Sequence, residues 1–265
     1  MALVATDVKV LHSITQAMTR PCILLLGYPD ILCSQASLDT VQLPIKITDL
    51  PTRADSQAMW RQHERPVTGP MLETKALFRS WGAEVFVCDL IAWGGEDFLL
   101  DLNQPIPAEL VGRFDVVVDP GTLEHCFNIA QAFQNIATLL RPGGVVFHHT
   151  PIAFPNHGFW SISPTTFYDF YESQGFKLGT SYAWRGMADG EGLVPYLRRI
   201  DPFKIGDDYP APSLGSFVFR KWNEPVNARY PVQRCYSSNS RNVLMQDYIG
   251  EALGRDVMAK LLVAN

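Results

Sequence analysis

The side chains able to do chemistry gather at a few places along the chain. DPGTLEH sets Asp119, Glu124 and His125 within one short stretch, VVFHHTP carries the adjacent His148 and His149, and PNHGFW holds His157 among aromatics. An imidazole titrates near neutral pH, so each histidine suits removal of a proton from a bound group. Asp89, Asp101 and Asp119 each close an apolar run. A single aspartate at such a place is more often a turn or helix cap, but three together favour a polar ligand held at strand ends. Metal chemistry finds less support: His148 and His149 are neighbours on a predicted strand and face opposite ways, and no H-E-x-x-H or i, i+4 histidine pair occurs. Nucleophile patterns are missing too, since there is no G-x-S-x-G and no cysteine with a patterned histidine.

These residues need a scaffold, and apolar periodicity supplies one. CILLLGYPDI (22–31), AEVFVCDL (83–90), VGRFDVVVD (111–119) and VVFHHTPI (145–152) read as buried strands, and DFLLDLNQPIP (97–107) as a short one ended by prolines. Helical spacing covers 8–18, 70–81, 124–140 and 165–175, with glycines closing the second and last. Strands alternating with helices predict a Rossmann-like α/β fold, a doubly wound and mostly parallel sheet. KLGTSYAW (177–184) and GSFVFRKW (215–222) are expected to add a late antiparallel pair. Residues 34–69 are polar, punctuated by proline and aperiodic, which suits an insertion or lid. One domain is expected over 1–225, followed by a C-terminal extension, 226–265, with an amphipathic helix over 241–262.

Bulk composition bounds the function. The chain has 265 residues, 47% hydrophobic and 18% charged, with a net charge of −5, enough for a large core. Its longest basic cluster is Arg198-Arg199, which argues against nucleic acid as a partner. No apolar run reaches the length of a membrane span. Five scattered cysteines without C-x-x-C, and an N-terminal stretch unlike a secretory signal, fit a reducing cytoplasm.

Three segments carry a family resemblance. FDVVVDPGTLEH, the helix 124–140 and LLRPGGVVFHHTP together resemble the central part of the class I S-adenosylmethionine-dependent methyltransferases. The likeness extends over roughly 20–185, and NHGFWSISPTTFYDFYESQGF (156–176) is similar to the region after the sheet in bacterial small-molecule methyltransferases. One departure stands out. The family ends its first strand in D/E-x-G-x-G-x-G, where missing side chains let backbone approach the cofactor. Here LLLGYPDILCS keeps only Gly27.

The resemblance implies an enzyme with S-adenosylmethionine as cofactor and a small-molecule or sugar-like acceptor. Gly27 would line the methionine portion, with Tyr28 and Asp30 replacing the missing glycines. Asp89 would accept hydrogen bonds from the ribose hydroxyls, Asp101 and Leu102 would bracket the adenine, and Asp119 and Gly121 would lie beneath the sulfonium. His125, then His149 or His157, would take a proton from the acceptor, which residues 34–69 and 153–213 would enclose. Phe159 and Trp160 suit an acceptor wall, whereas Phe167, Tyr168 and Tyr171 at helical spacing suit the core. The altered loop keeps open a second possibility, a binding or scaffold protein of this fold without methyl transfer. A homo-oligomer is compatible with either.

Overall fold

The computed structural model describes residues 1–92, 94–185, 198–200, 209, 211–222 and 230–234. The expected helix over 241–262 lies outside them, as do nearly all of 186–208 and most of 226–265. Among the described residues ten strands are formed: β1 (Ala2–Val4), β2 (Cys22–Leu26), β3 (Asp30–Leu32), β4 (Glu84–Asp89), β5 (Phe98–Leu99), β6 (Phe114–Asp119), β7 (Leu140–Ala153), β8 (Phe176–Arg185), β9 (Arg198–Arg199) and β10 (Ser213–Lys221). The helices are α1 (Ala5–Gln16), α2 (Gln35–Thr40), α3 (Ser56–Gln62), α4 (Thr74–Ser80), α5 (Ile129–Leu139) and α6 (Pro164–Ser173).

Eight strands make one sheet in the order β5-β4-β2-β6-β7-β10-β8-β9. From β5 to β7 all neighbours are parallel. β10 then inserts antiparallel between β7 and β8, so the expected late pair is present. The order reverses direction at β2 and β6, the kind of switch point beside which open α/β sheets bind ligands.

Alternation along each strand builds two cores. Ile23, Leu25, Val85, Val87, Val116 and Val118 face α1 and α4, where Val8, Leu11, Leu77 and Phe78 meet them. Leu24, Leu26, Val117 and Val146 face the opposite way, onto Phe133 and Ile136 of α5 and Phe167 and Tyr171 of α6. Each fully buried side chain of this kind contributes about 1.5–3 kcal/mol, which explains why strand sequences this uniformly apolar commit to a sheet covered on both faces.

Two elements differ from expectation. The short strand expected across 97–107 contracts to Phe98–Leu99, after which Asn103 N–H turns back to Asp101 Oδ1 at 2.9 Å. The helix expected from residue 124 starts at Ile129, because Leu123–His125 form a separate 3-10 turn and Asn128 caps α5 by accepting from Gln131 N–H.

Residues 34–69 are not a bare loop. They hold α2 and α3, and the part bearing α3 closes at a neck, where Arg53 N–H donates to Met71 O at 2.8 Å and Glu73 N–H to Pro51 O at 2.9 Å. Arg53 and His63 clasp Asp30 from that neck, at 2.7 and 2.8 Å. On the other side of Asp30, β1 pairs in parallel with β3, which brings the first residues of the chain to the end of β2.

Candidate active site

The parallel strands β5, β4, β2 and β6 all end at one edge of the sheet, and their last residues and following turns form the site. At the end of β2, Gly27 adopts φ +76, a left-handed conformation that a side chain would strain. Its N–H donates to Cys88 O at 2.7 Å, joining the ends of β2 and β4. The space a Cβ would fill is taken by Sδ and Cε of Met1. Thr122, from the turn after β6, completes this seat: its hydroxyl donates to Leu26 O at 2.7 Å and lies 2.9 Å from the Met1 sulfur. A methionine thioether thus rests on the glycine at the first strand's end.

The other strand-end acids divide into open and engaged ones. Asp89 is half-buried, and its Oδ1 accepts from the adjacent Leu90 N–H at 2.7 Å. Asp101 is exposed, its Oδ1 holding the backbone and side-chain amides of Asn103, while Leu102 beside it is buried. Asp30 has both oxygens occupied by Arg53 and His63, so it serves the neck of the insertion rather than an open pocket.

Asp119 is also fully engaged. Its Oδ1 accepts from Thr122 N–H at 2.8 Å and Leu123 N–H at 3.2 Å, and its Oδ2 meets His148 Nδ1 at 2.7 Å. His148 lies directly across from it on β7 and continues to Tyr171 Oη at 2.7 Å, all three residues being wholly buried. The carboxylate expected beneath a cationic ligand therefore closes the turn that carries Gly121, Thr122 and Glu124. Gly121, with φ +98, lets that turn pass under the Glu124 carboxylate.

His149 takes the opposite face of β7, as strand alternation requires. It stands in one cross-strand row with Ser216 and Tyr182, with Nδ1 at 2.9 Å from Ser216 Oγ and 3.3 Å from Asp7 of α1. At 6% exposure it is packed against α1 and β10 through Asp7 and Ser216. Burial alone lowers its pKa, but the Asp7 carboxylate, aided by Glu124 and Asp119, outweighs burial and raises it. A raised folded-state pKa stabilises fully below the unfolded value of about 6.5 and the gain is lost as pH rises through the folded value. We therefore expect the urea midpoint to fall across that window, and Asp7→Asn to give a lower, flatter profile. An equally steep slope in Asp7→Asn would remove this assignment.

His125 and His157 do come together. Their rings lie 5.6 Å apart, both at the surface, over the buried carboxylate of Glu124. Burial lowers both imidazole pKa values, and at His157 the His125 charge adds to the effect. Burial, then Asp119, pushes Glu124 up to about 8. Exposed Phe127, Phe159 and Trp160 form an aromatic patch alongside, fixed by Trp160 Nε1–H donating to Cys126 O at 3.0 Å. Phe167, Tyr168 and Tyr171 are core residues, as expected. The sequence sets Glu124 beside His125 without giving it a role of its own, and gives no sign of Met1 at Gly27.

The sheet order, with its inserted antiparallel strand, makes a Rossmann-like α/β fold. Residues 100–148, which include the turn bearing Asp119, Glu124 and His125, match the family model described as a methyltransferase domain. That match spans less than a fifth of the chain and falls on its central segment. Among solved structures it is similar to the N-methyltransferase NodS of Bradyrhizobium japonicum in complex with S-adenosyl-L-homocysteine, at 12% identity and TM-score 0.43, covering 82% of this chain and 85% of that one. It is likewise similar to the 1,6-didemethyltoxoflavin-N1-methyltransferase of Burkholderia thailandensis, at 14% identity and TM-score 0.42, covering 83% and 78%. No residue role passes from these distant structures to this chain. No curated protein matches the sequence.

Proposed function

We propose that the protein is an S-adenosylmethionine-dependent methyltransferase acting on a small molecule. The observation that carries this reading is the seat formed by Gly27 and Thr122, which receives a methionine side chain at the switch point of the sheet. That is where the resemblance places the methionine portion of the cofactor. A single glycine with a positive φ suffices for the close approach, so loss of the other glycines does not empty the site of its function. S-adenosylmethionine supplies an electrophilic methyl group on sulfur. Asp89, at the end of β4, would accept from the ribose hydroxyls, and Asp101 with Leu102, just past β5, would frame the adenine. Methyl transfer is an in-line displacement, so holding the acceptor square to the methyl group supplies much of the rate. The Phe127, Phe159 and Trp160 patch would cover an apolar face of the acceptor, and His125 or His157 would accept its proton. Both are neutral near pH 7 by the direction of their pKa shifts, as a base must be.

Calorimetric titration of ligand-free protein with S-adenosylhomocysteine tests this directly. The expected result is saturable one-to-one binding. In protein labelled at methionine methyls, the Met1 resonance should shift and sharpen as its side chain yields the seat on Gly27. Binding without any change at Met1 would move the cofactor elsewhere on the fold. No binding would favour a scaffold protein with this architecture.

A further inference from the structure

The carboxylate of Glu124 is the least satisfied polar group at this edge. Its Oε2 accepts from Thr150 Oγ1–H at 3.1 Å, but Oε1 has no hydrogen-bond partner although the residue is 0% exposed. Leaving a buried carboxyl oxygen without a partner is costly, so a native site that keeps one calls for a reason. Two imidazoles overlook that oxygen. His157 Nε2 is 3.7 Å from it, and one ligand atom from each of Glu124, His125 and His157 falls within 4.8 Å of the others.

The loop bearing His157 is built against Glu124. Phe159 N–H donates to Glu124 O at 2.9 Å, and a Cβ on Gly158 would come within 2.8 Å of that same oxygen. Only glycine allows the approach. Asn156, with φ +65, makes the preceding turn, and the His157 ring stacks on Phe154 with centroids 4.7 Å apart. These contacts fix an imidazole over a carboxylate from a part of the chain thirty residues away.

We propose that Glu124, His125 and His157 bind a divalent transition-metal ion such as Zn2+, with Thr150 orienting the carboxylate. Two imidazoles and one carboxylate are the donor set that borderline ions prefer, and three protein ligands leave a coordination position open. Tetrahedral ligands about 2.0–2.1 Å from zinc stand about 3.3 Å apart, so the widest pair must close by roughly 1.5 Å. The Glu124 Oε1–His157 Nε2 pair is already at 3.7 Å, so that movement falls mainly to the exposed His125. An ion here gives Oε1 its missing partner. The open position would take a hydroxyl or amine of the acceptor, lowering its pKa and holding it beside the Gly27–Thr122 seat. In that case the metal, not an imidazole, would activate the acceptor, whose proton would leave to solvent water. This deepens the methyltransferase reading and depends on it for the acceptor, though not for ion binding itself.

The test is a titration of chelator-stripped full-length protein with Co2+, followed by visible absorption, and with Zn2+ by displacement. One ion per chain is expected. Glu124→Gln and His157→Ala should each weaken it by at least about 100-fold, and Thr150→Val by about tenfold, whereas His12→Ala on α1 should change nothing. His157 is 40% exposed, so His157→Ala keeps the test sound should Glu124→Gln fail to fold. The proposal is overturned if wild type binds no ion, or if His157→Ala binds as wild type does. Titrations without S-adenosylhomocysteine separate the two readings: an ion without cofactor binding keeps the metal site and drops methyl transfer, and cofactor binding without an ion does the reverse.

Discussion

Asp89→Ala is expected to lose about two orders of magnitude in affinity for S-adenosylhomocysteine while unfolding at nearly the wild-type denaturant concentration. Hydrogen bonds to a carboxylate contribute about 1.5–3 kcal/mol each, and removing an acceptor shared by two hydroxyls gives a loss of roughly 3 kcal/mol. Against this, Asp89 does little for the fold. Its carboxylate accepts from the next residue's amide and stands half-exposed at the end of β4, so truncation should cost no more than about 1 kcal/mol of stability. Calorimetry and urea unfolding on the same preparation decide the matter. Unchanged affinity would remove Asp89 from the site, and a large stability loss would make it structural.

Asp119→Ala should behave in the opposite sense. This carboxylate holds two amides of the turn after β6 and the ring of His148, entirely away from solvent. Removing it leaves three buried donors without an acceptor, and breaking a buried, charged arrangement from one side costs about 3–5 kcal/mol. That is a large part of the 5–15 kcal/mol typical of a whole domain. Tyr171→Phe deletes only the last link, His148 to Tyr171 Oη, and should cost about 1 kcal/mol. The graded pair is the useful measurement. Similar small losses in both variants would mean that the turn is held by something other than Asp119. Loss of cofactor binding in Asp119→Ala is expected as well, as a result of the lost turn.

The sheet was legible because its information is local. Val116, Val117 and Val118 are apolar on both faces, which only a doubly covered strand tolerates, and the glycines after 70–81 and 165–175 marked helix ends through their backbone freedom. The candidate site was legible by position more than by role. Asp89, Asp101 and Asp119 look alike in sequence, each closing an apolar run, yet one is half-open, one exposed and one wholly consumed. What separates them is the partner across the sheet: His148 stands in register with Asp119, and no periodicity within either strand reveals that pairing. The surroundings of His149 are hidden from the sequence for the same reason, since Ser216 and Asp7 that bury it come from β10 and α1. His125 and His157 were found singly. Their meeting over Glu124 depends on Gly158, whose approach to another backbone is invisible until the chain is folded.

The neck of the insertion has a consequence for how such a protein changes over time. Residues 51–53 and 71–73 are zipped together by backbone hydrogen bonds and the Thr52–Leu72 bridge, and Asp30 pins that zip to the strand end through Arg53 and His63. The excursion between them is a loop whose ends are already closed, so doubling its length costs only about 0.6 kcal/mol. A longer or shorter excursion would leave the ends of β2 and β4 joined through Gly27 and Cys88 as they are, provided it still brings His63 to Asp30.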